Sequence, residues 1–392
     1  MNELKSPLSS ANLHGQRVLL RADLNVPLNN GSILSDARLK AIMPTINLIL
    51  SKGGKIVLIT HIGRPSDQEA TLSTKTLLPW FAQKGYSCVF ENDLNNAYAK
   101  SFHEPKTILL LENLRFYTGE KQNDTLFAQN LARLGDIYVN DAFGNLHRSD
   151  CSMIEVPRLF TPQKRMFGLL IEEEINHANK LLHNPAHPFV FIIGGNKIKD
   201  KIPLINNLLD KIDTIILCPA VVFSYLKSEG KPVGSSLIDQ ESFAACQILK
   251  KNAQEYNVSI VLPVDYVVSS NGFAGPYTIK KADQLTNGDV AISIGPETEI
   301  LLKEIINRSK TCFYNGLMGD LTVAESLHGV KAIFEAMAES KGYSVIGGGD
   351  STAAAEKLGF SKRISYLSSG GGALIAYLGG EKLPALELLL NK

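Results

Sequence analysis

Short runs of aliphatic and β-branched residues alternate with longer amphipathic stretches along the whole chain. The runs cover residues 17–24, 55–60, 86–90, 107–112, 137–140, 189–193, 213–217, 258–262, 290–294, 311–314, 343–346 and 364–367. Helical patterning fills the intervals, for instance over 36–51, 124–134, 241–256 and 298–307. This rhythm predicts parallel sheets covered by helices. The runs are nearly all apolar, as strands buried on both faces should be. At 392 residues the chain exceeds one comfortable core,. Sheets of about six strands per half are a normal size. The expected fold class is therefore α/β, with two doubly wound, Rossmann-like parallel-sheet domains joined by an interdomain helix.

The joining stretch runs over 166–184, with apolar positions at Leu170, Ile171, Ile175, Leu181 and Leu182 and a stop at Pro185 and Pro188,. The expected boundaries are 1–168 for the first domain, 169–184 for the helix and 185–378 for the second domain. A tail, 379–392, completes the division. The formal charge of +1 argues against a dedicated nucleic-acid binder,. No run reaches the ~18 apolar residues that span a bilayer, so no membrane partner is expected. The residues after Met1 carry no apolar run, and no signal peptide is expected,. Five scattered cysteines without a C-x-x-C pair fit a reducing cytoplasm,.

The residues at the strand ends carry the chemistry. Nine of the eleven arginines precede residue 170, while the glycine clusters lie beyond it. Asp23 and Asn25 close the first strand and Arg38 opens the next helix. His61, Gly63 and Arg64 come after the second strand, Arg115 after another, and His147 and Arg148 after yet another. In a parallel sheet such C-terminal strand ends gather on one edge, where ligands bind. Arg21, Arg38, Arg64, Arg115 and Arg148, with both histidines, are expected to converge on a small, multiply anionic ligand. Taken singly, each arginine reads as a surface ion pair.

The second half has its own strand-end turns: Gly194-Gly195-Asn196, Asn315-Gly316, Gly347-Gly348-Gly349-Asp350-Ser351, and Ser369-Gly370-Gly371-Gly372. Glycine turns at helix starts cradle phosphates with backbone N–H groups. Lys197 and Lys201, four apart, would share a helical face. Asp350 beside a phosphate loop would hold Mg²⁺ through oxygen, or else cap a helix beginning at Ser351. A dinucleotide oxidoreductase is the first competing class, but Thr352 breaks G-x-G-x-x-G and the next strand ends in serine rather than an acid. A non-catalytic binder of phosphorylated metabolites explains the arginines but not a second anion site. Two anion sites fit phosphoryl transfer, which asks mostly for alignment and charge cancellation.

The ordered motifs identify a family. They are Arg17-Val-Leu-Leu-Arg-Ala-Asp-Leu-Asn-Val-Pro27, His61-Ile-Gly-Arg-Pro65, Leu111-Glu-Asn-Leu-Arg-Phe116 and Tyr138-Val-Asn-Asp-Ala-Phe-Gly144, then Gly194-Gly-Asn-Lys-Ile-Lys-Asp-Lys-Ile202, Leu262-Pro-Val-Asp265, Gly347-Gly-Gly-Asp350 and Ser369-Gly-Gly-Gly-Ala373. Along essentially its full length the chain resembles phosphoglycerate kinases. The resemblance implies reversible transfer from 1,3-bisphosphoglycerate to ADP, giving 3-phosphoglycerate and ATP, with Mg²⁺ and a hinge movement that closes the domains. It implies a cytoplasmic monomer whose tail packs back on the first domain. By motif position, Asp23, Asn25, Arg38, His61, Gly63, Arg64, Arg115 and Arg148 would hold the glycerate. Gly194, Gly195, Lys201, Asn315, Thr322, Gly347, Gly348, Gly349, Asp350 and Ser351 would hold the nucleotide, with Asp350 at the metal. Arg38, Lys197, Lys201 and the Gly371 and Gly372 amides would meet the transferring group. Departures fall mainly in the nucleotide half. Asn196 stands for alanine, Cys218-Pro219 for a glycine pair near the adenine, and Thr322 for a ribose-binding glutamate. Glu325 is a candidate substitute, and Asp150 replaces a second histidine. The departures leave open a different nucleotide preference, or a weakened enzyme kept for another role.

Overall fold

Every apolar run of the first half becomes a strand of one parallel sheet in the computed structural model, which describes residues 3–104 and 106–390. The strands are β1 (Arg17–Ala22), β2 (Lys55–Ile59), β3 (Ser87–Glu91), β4 (Thr107–Leu111), β5 (Ile137–Asp141) and β6 (Arg165–Phe167), the last a strand the sequence pattern did not reveal. Their spatial order is β3-β4-β2-β1-β5-β6. Leu20 of β1 lies between Leu58 of β2 and Val139 of β5. The chain winds from β1 to one side and then returns to the other, so a switch point lies between β1 and β5.

The helix Ala37–Ser51 buries Leu39, Ile42, Ile46 and Ile49, an apolar stripe of helical period,. It ends where Gly53 takes a left-handed φ of 73°. There Gly53 N bonds Leu50 O and Gly54 N bonds Ile49 O, at 3.1 and 3.0 Å, the paired bonds that close a helix at glycine.

By contacts the chain forms two units. The first comprises residues up to Asn176 together with the segment from Lys382 onward. Within it the tail helix Pro384–Leu390 buries Ala385, Leu386 and Leu389, and Ala385 N bonds Leu146 O at 3.3 Å. The division falls inside the helix Leu169–Leu182. Its first turn is capped by Asp141, which accepts from Ile171 N at 3.0 Å, and by Thr45 Oγ1, which accepts from Leu169 N at 2.9 Å. Thr45 also donates to Asp141 at 2.5 Å.

The second unit carries β7 (Phe189–Gly195), β8 (Thr214–Ala220), β9 (Ser259–Val261), β10 (Asp265–Ser269), β11 (Thr278–Lys281), β12 (Val290–Ile294), β13 (Thr311–Asn315), β14 (Tyr343–Gly347) and β15 (Tyr366–Ser368). The parallel sheet has the order β9-β8-β7-β13-β14-β15. Its winding reverses between β7 and β13, which places the switch point there. Phe191 and Phe313 stack across this pair at 4.9 Å.

Two expectations need correction. The run 290–294 does not join the parallel sheet. It pairs antiparallel with β10 in a separate sheet ordered β11-β10-β12. Only residues 262–264 separate β9 from β10, too few for the crossover a parallel neighbour needs. The second concerns the stretch after β7. It is not helical at Lys197. A 3₁₀ turn spans Lys199–Lys201 and the helix is Ile202–Leu208. Pro203 lacks an N–H and suits a first turn, so Lys197 and Lys201 do not share a helical face.

Candidate active site

In the first unit, the turns after β1, β2 and β4 are laced together at the C-terminal edge of the sheet. Asn25 Oδ1 accepts from Gly63 N at 2.8 Å, and the Arg115 guanidinium donates to Gly63 O. Asn113, the fully buried cap of the turn carrying Arg115, bonds Ile62 through both its carbonyl and its amide. These polar side chains are spent on fixing the loops to one another.

Asp23 pairs with Arg38. Burial opposes ionisation of Asp23, but the positive charges around it, Arg38 foremost, outweigh it and hold the carboxyl below its usual range. Arg115 feels burial first and then the positive charges of Arg148, Arg21 and Arg64, which lower its proton affinity. Arg21, Arg64, Arg115 and Arg148 thus do cluster. The Nε atoms of Arg115 and Arg148 are buried with no hydrogen-bond partner among the described residues. Buried donors on cationic side chains left unpaired cost free energy, which an anion bound among these arginines would offset. Arg64 is exposed.

Arg21 is the exception within the cluster. It is fully buried and its donors go to Ser152, Ala22 and His61, so it presents no fork to a ligand. Behind it, bonded to Ser152, lies Glu120, a residue that the sequence pattern did not single out. Burial pushes its carboxyl up to about 7, against the opposing pull of Arg21 and Ser152. Asp150 is buried and ion-paired with Lys121 at 2.8 Å.

In the second unit, the glycine turns after β7, β13 and β14 interlock. A Cβ on Gly194 would lie 2.3 Å from Gly316 O, and one on Gly316 would lie 2.2 Å from Gly194 O. The two turns touch backbone to backbone at the switch point. Lys201 Nζ donates to Gly194 O at 3.1 Å. Burial lowers its proton affinity, with Asp200 opposing. Gly316 N donates to Ser351 Oγ at 3.2 Å, and Asn315 Nδ2 to Gly347 O at 2.9 Å. Ser351 and Asn315 therefore hold the turns to one another. By contrast, a Cβ on Gly349 or Gly371 would meet no atom within 4 Å. Gly348 and Gly371, at φ 105° and 51°, adopt backbone that favours glycine,.

Lys197 and Asn196 are exposed, with no partner among the described residues. Lys199 pairs with Glu241. Thr322 is exposed and bonds the Asp320 carboxylate through both N and Oγ1, at 2.7 and 2.6 Å, and Glu325 is exposed. Cys218 and Pro219 are buried where the pairing of β8 with β7 shifts register. The cap of the helix Gly349–Lys357 is Gly348, so Asp350 lies inside the first turn and is not its cap. Its exposed carboxylate has no partner among the described residues, which also contain no cluster of three or more His, Cys, Asp or Glu able to hold a metal. A lone carboxylate suits Mg²⁺, which takes most of its ligands from phosphates and water.

A family model described as phosphoglycerate kinase matches residues 8–381. The phosphoglycerate kinase of Dictyoglomus turgidum is 36% identical over 397 residues, covering 98% of each chain. That of Clostridium tetani is 35% identical over 396 residues, covering 99% of this chain and 98% of its own. Among solved structures, the phosphoglycerate kinase from Coxiella burnetii aligns with a TM-score of 0.84 at 33% identity over 97% of each chain. The one from Pyrococcus horikoshii aligns at 0.83 and 27% identity, over 97% of this chain and 98% of its own.

Proposed function

The chain belongs to the phosphoglycerate kinase family, kinases that transfer phosphate to a carboxyl acceptor, and from that premise we propose how its residues divide the work. The arginine cluster of the first unit takes 3-phosphoglycerate or 1,3-bisphosphoglycerate. The interlocked turns of the second take ADP or ATP. The observation that carries this reading is the pair of buried, partnerless Nε atoms on Arg115 and Arg148, which ask for an anion with several oxygens.

Asp23, Asn25, His61, Gly63, Arg64, Arg115 and Arg148 bind and orient the glycerate. In the forward step a terminal oxygen of ADP attacks the acyl phosphate. The P–O bond to the carboxyl oxygen breaks, and the carboxylate of 3-phosphoglycerate leaves with the electron pair. No protein nucleophile is required. The transferring group spreads negative charge over its oxygens, so fixed positive groups do most of the catalytic work. Arg38, Lys197 and the Gly371 and Gly372 amides take that role, and Lys201 holds the nucleotide phosphates. Gly194, Gly195, Asn315 and the 347–351 turn shape the nucleotide site, with Thr322 toward the ribose. Asp350 would hold Mg²⁺, which when bound neutralises phosphate charge. Family likeness and the scattered free cysteines support a monomer in a reducing cytoplasm. No helix among the described residues is long and apolar enough to cross a membrane.

The test is a coupled assay with 3-phosphoglycerate and Mg-ATP, extended to a panel of nucleoside triphosphates. Turnover dependent on both substrates is expected. Absence of turnover with every nucleotide would refute the assignment.

A further inference from the structure

His61 Nδ1 lies 3.1 Å from Arg21 Nη2, with both residues buried. A guanidinium offers only donors, so Nδ1 must be the acceptor and carry no proton. The neutral ring then has its hydrogen on Nε2. No partner for Nε2 exists among the described residues. Burial first, then the charge of Arg21, pushes the ring's proton affinity well below the ordinary range, with Asp23 opposing and Arg115 and Arg148 adding. The ring therefore remains neutral.

What aims the guanidinium is a chain of bonds behind it. Arg21 Nε donates to Ser152 Oγ at 2.9 Å. That hydroxyl bonds Glu120 Oε1 at 2.6 Å, while Ser152 N donates to Glu120 Oε2 at 2.9 Å. The Tyr138 hydroxyl donates to the Ser152 carbonyl at 2.7 Å and fixes it from behind. In either protonation state of Glu120, the serine oxygen keeps a lone pair for Arg21. The planar fork then leaves Nη2 only one direction, toward His61 Nδ1. Arg21, Glu120 and Ser152 are each at most 1% exposed, so solvent does not compete for these bonds in the parent protein.

We propose that Glu120 and Ser152 are positioning residues which, through Arg21, lock His61 as its Nε2–H tautomer so that a neutral N–H faces the glycerate anion. The opposite tautomer would turn a lone pair toward negative oxygens and repel them. The proposal rests on the assignment of His61 to the glycerate site. A purely structural role for the triad would set stability and leave the ring's tautomer untouched.

The test uses the full-length enzyme with ¹⁵N-labelled histidine. Long-range ¹H–¹⁵N spectra without ligand read the His61 tautomer, and steady-state kinetics read KM and kcat. The parent should show a single Nε2–H form. Ser152→Ala and Glu120→Ala should each mix the tautomers. Each should also raise the KM for 3-phosphoglycerate about tenfold, as loss of one hydrogen bond to a charged ligand implies. The nucleotide KM should stay level. If a variant does not fold, Arg21→Lys, which keeps the charge but loses the fork, should mix the tautomers too. A pure Nε2–H ring in these variants, or a mixed ring in the parent, overturns the proposal. If the ring becomes mixed but the 3-phosphoglycerate KM holds, the relay stands and the placement of His61 against glycerate falls.

Discussion

Replacing Gly194 by alanine should damage the nucleotide site and leave the glycerate site intact. The added Cβ would lie 2.3 Å from Gly316 O, with Gly316 C and Met318 N next at 3.3 Å. Ordinary contact begins near 3.4 Å, so the two turns must part by about 1.1 Å. The obstacle is backbone on both sides, and no side chain can swing away. Overpacking of this kind costs about 1–3 kcal/mol. Gly194 itself is not in the left-handed region, so the penalty is contact alone. Displacing Gly316 moves the N–H that Ser351 receives, and displacing Gly194 moves the carbonyl that Lys201 holds. If the strain falls on the site, ADP affinity should drop roughly tenfold to a hundredfold, at 1.4 kcal/mol per tenfold. Separate calorimetric titrations with ADP and with 3-phosphoglycerate, beside urea unfolding, read the outcome. Glycerate affinity should not change, because its ligands lie in the other unit. Gly349→Ala is the contrast, since its Cβ meets nothing within 4 Å and only a bound nucleotide could object to it. Unchanged ADP affinity together with an unchanged urea midpoint in Gly194→Ala would refute the interlocked turns.

Arg148→Ala should raise the 3-phosphoglycerate KM about tenfold or more, as loss of bonds to a charged ligand implies, with the nucleotide KM level; an unchanged value in steady-state assays would remove Arg148 from the site. Lys197 is exposed, so Lys197→Ala should fold like the parent in thermal melts while kcat falls on the order of a hundredfold, the scale of one lost charge-stabilising group. Asp141 is buried, and this raises its carboxyl from 3.8 to about 7. The folded protein therefore keeps a proton that the unfolded chain has released, and this group's contribution to stability falls as pH rises through that window. Asp141→Asn should gain stability relative to the parent between about pH 4 and about pH 7, by at most about 4 kcal/mol. Parallel pH–stability curves from denaturant titrations would contradict it.

The sequence by itself determined the repeating units and their polarity. Strand runs such as Lys55–Ile59 and Phe189–Gly195 are visible because burial on both faces demands continuous apolar residues,. Their ends are visible because glycine and arginine punctuate them, and the winding rule sends those ends to one edge. Hence Arg64, Arg115, Arg148 and the glycine turns were legible as candidates for a site, and the ordered motifs pointed to the family. Partnership was not legible. Val290–Ile294 carries the same pattern as its neighbours, yet it pairs antiparallel with Asp265–Ser269 in a separate sheet. Lys197 and Lys201 have helical spacing, but Pro203 set where the helix could begin. Arg21 lies within an apolar run and Arg148 beyond one, yet both read in the sequence as cations for the same sheet edge. Only the packing decided that one would be spent on Ser152 and His61, while the other would keep a buried Nε without a partner among the described residues. Hydrogen-bond partners far apart in sequence, as Glu120 and Ser152 are from Arg21, are chosen by three-dimensional proximity, and no local pattern encodes that choice.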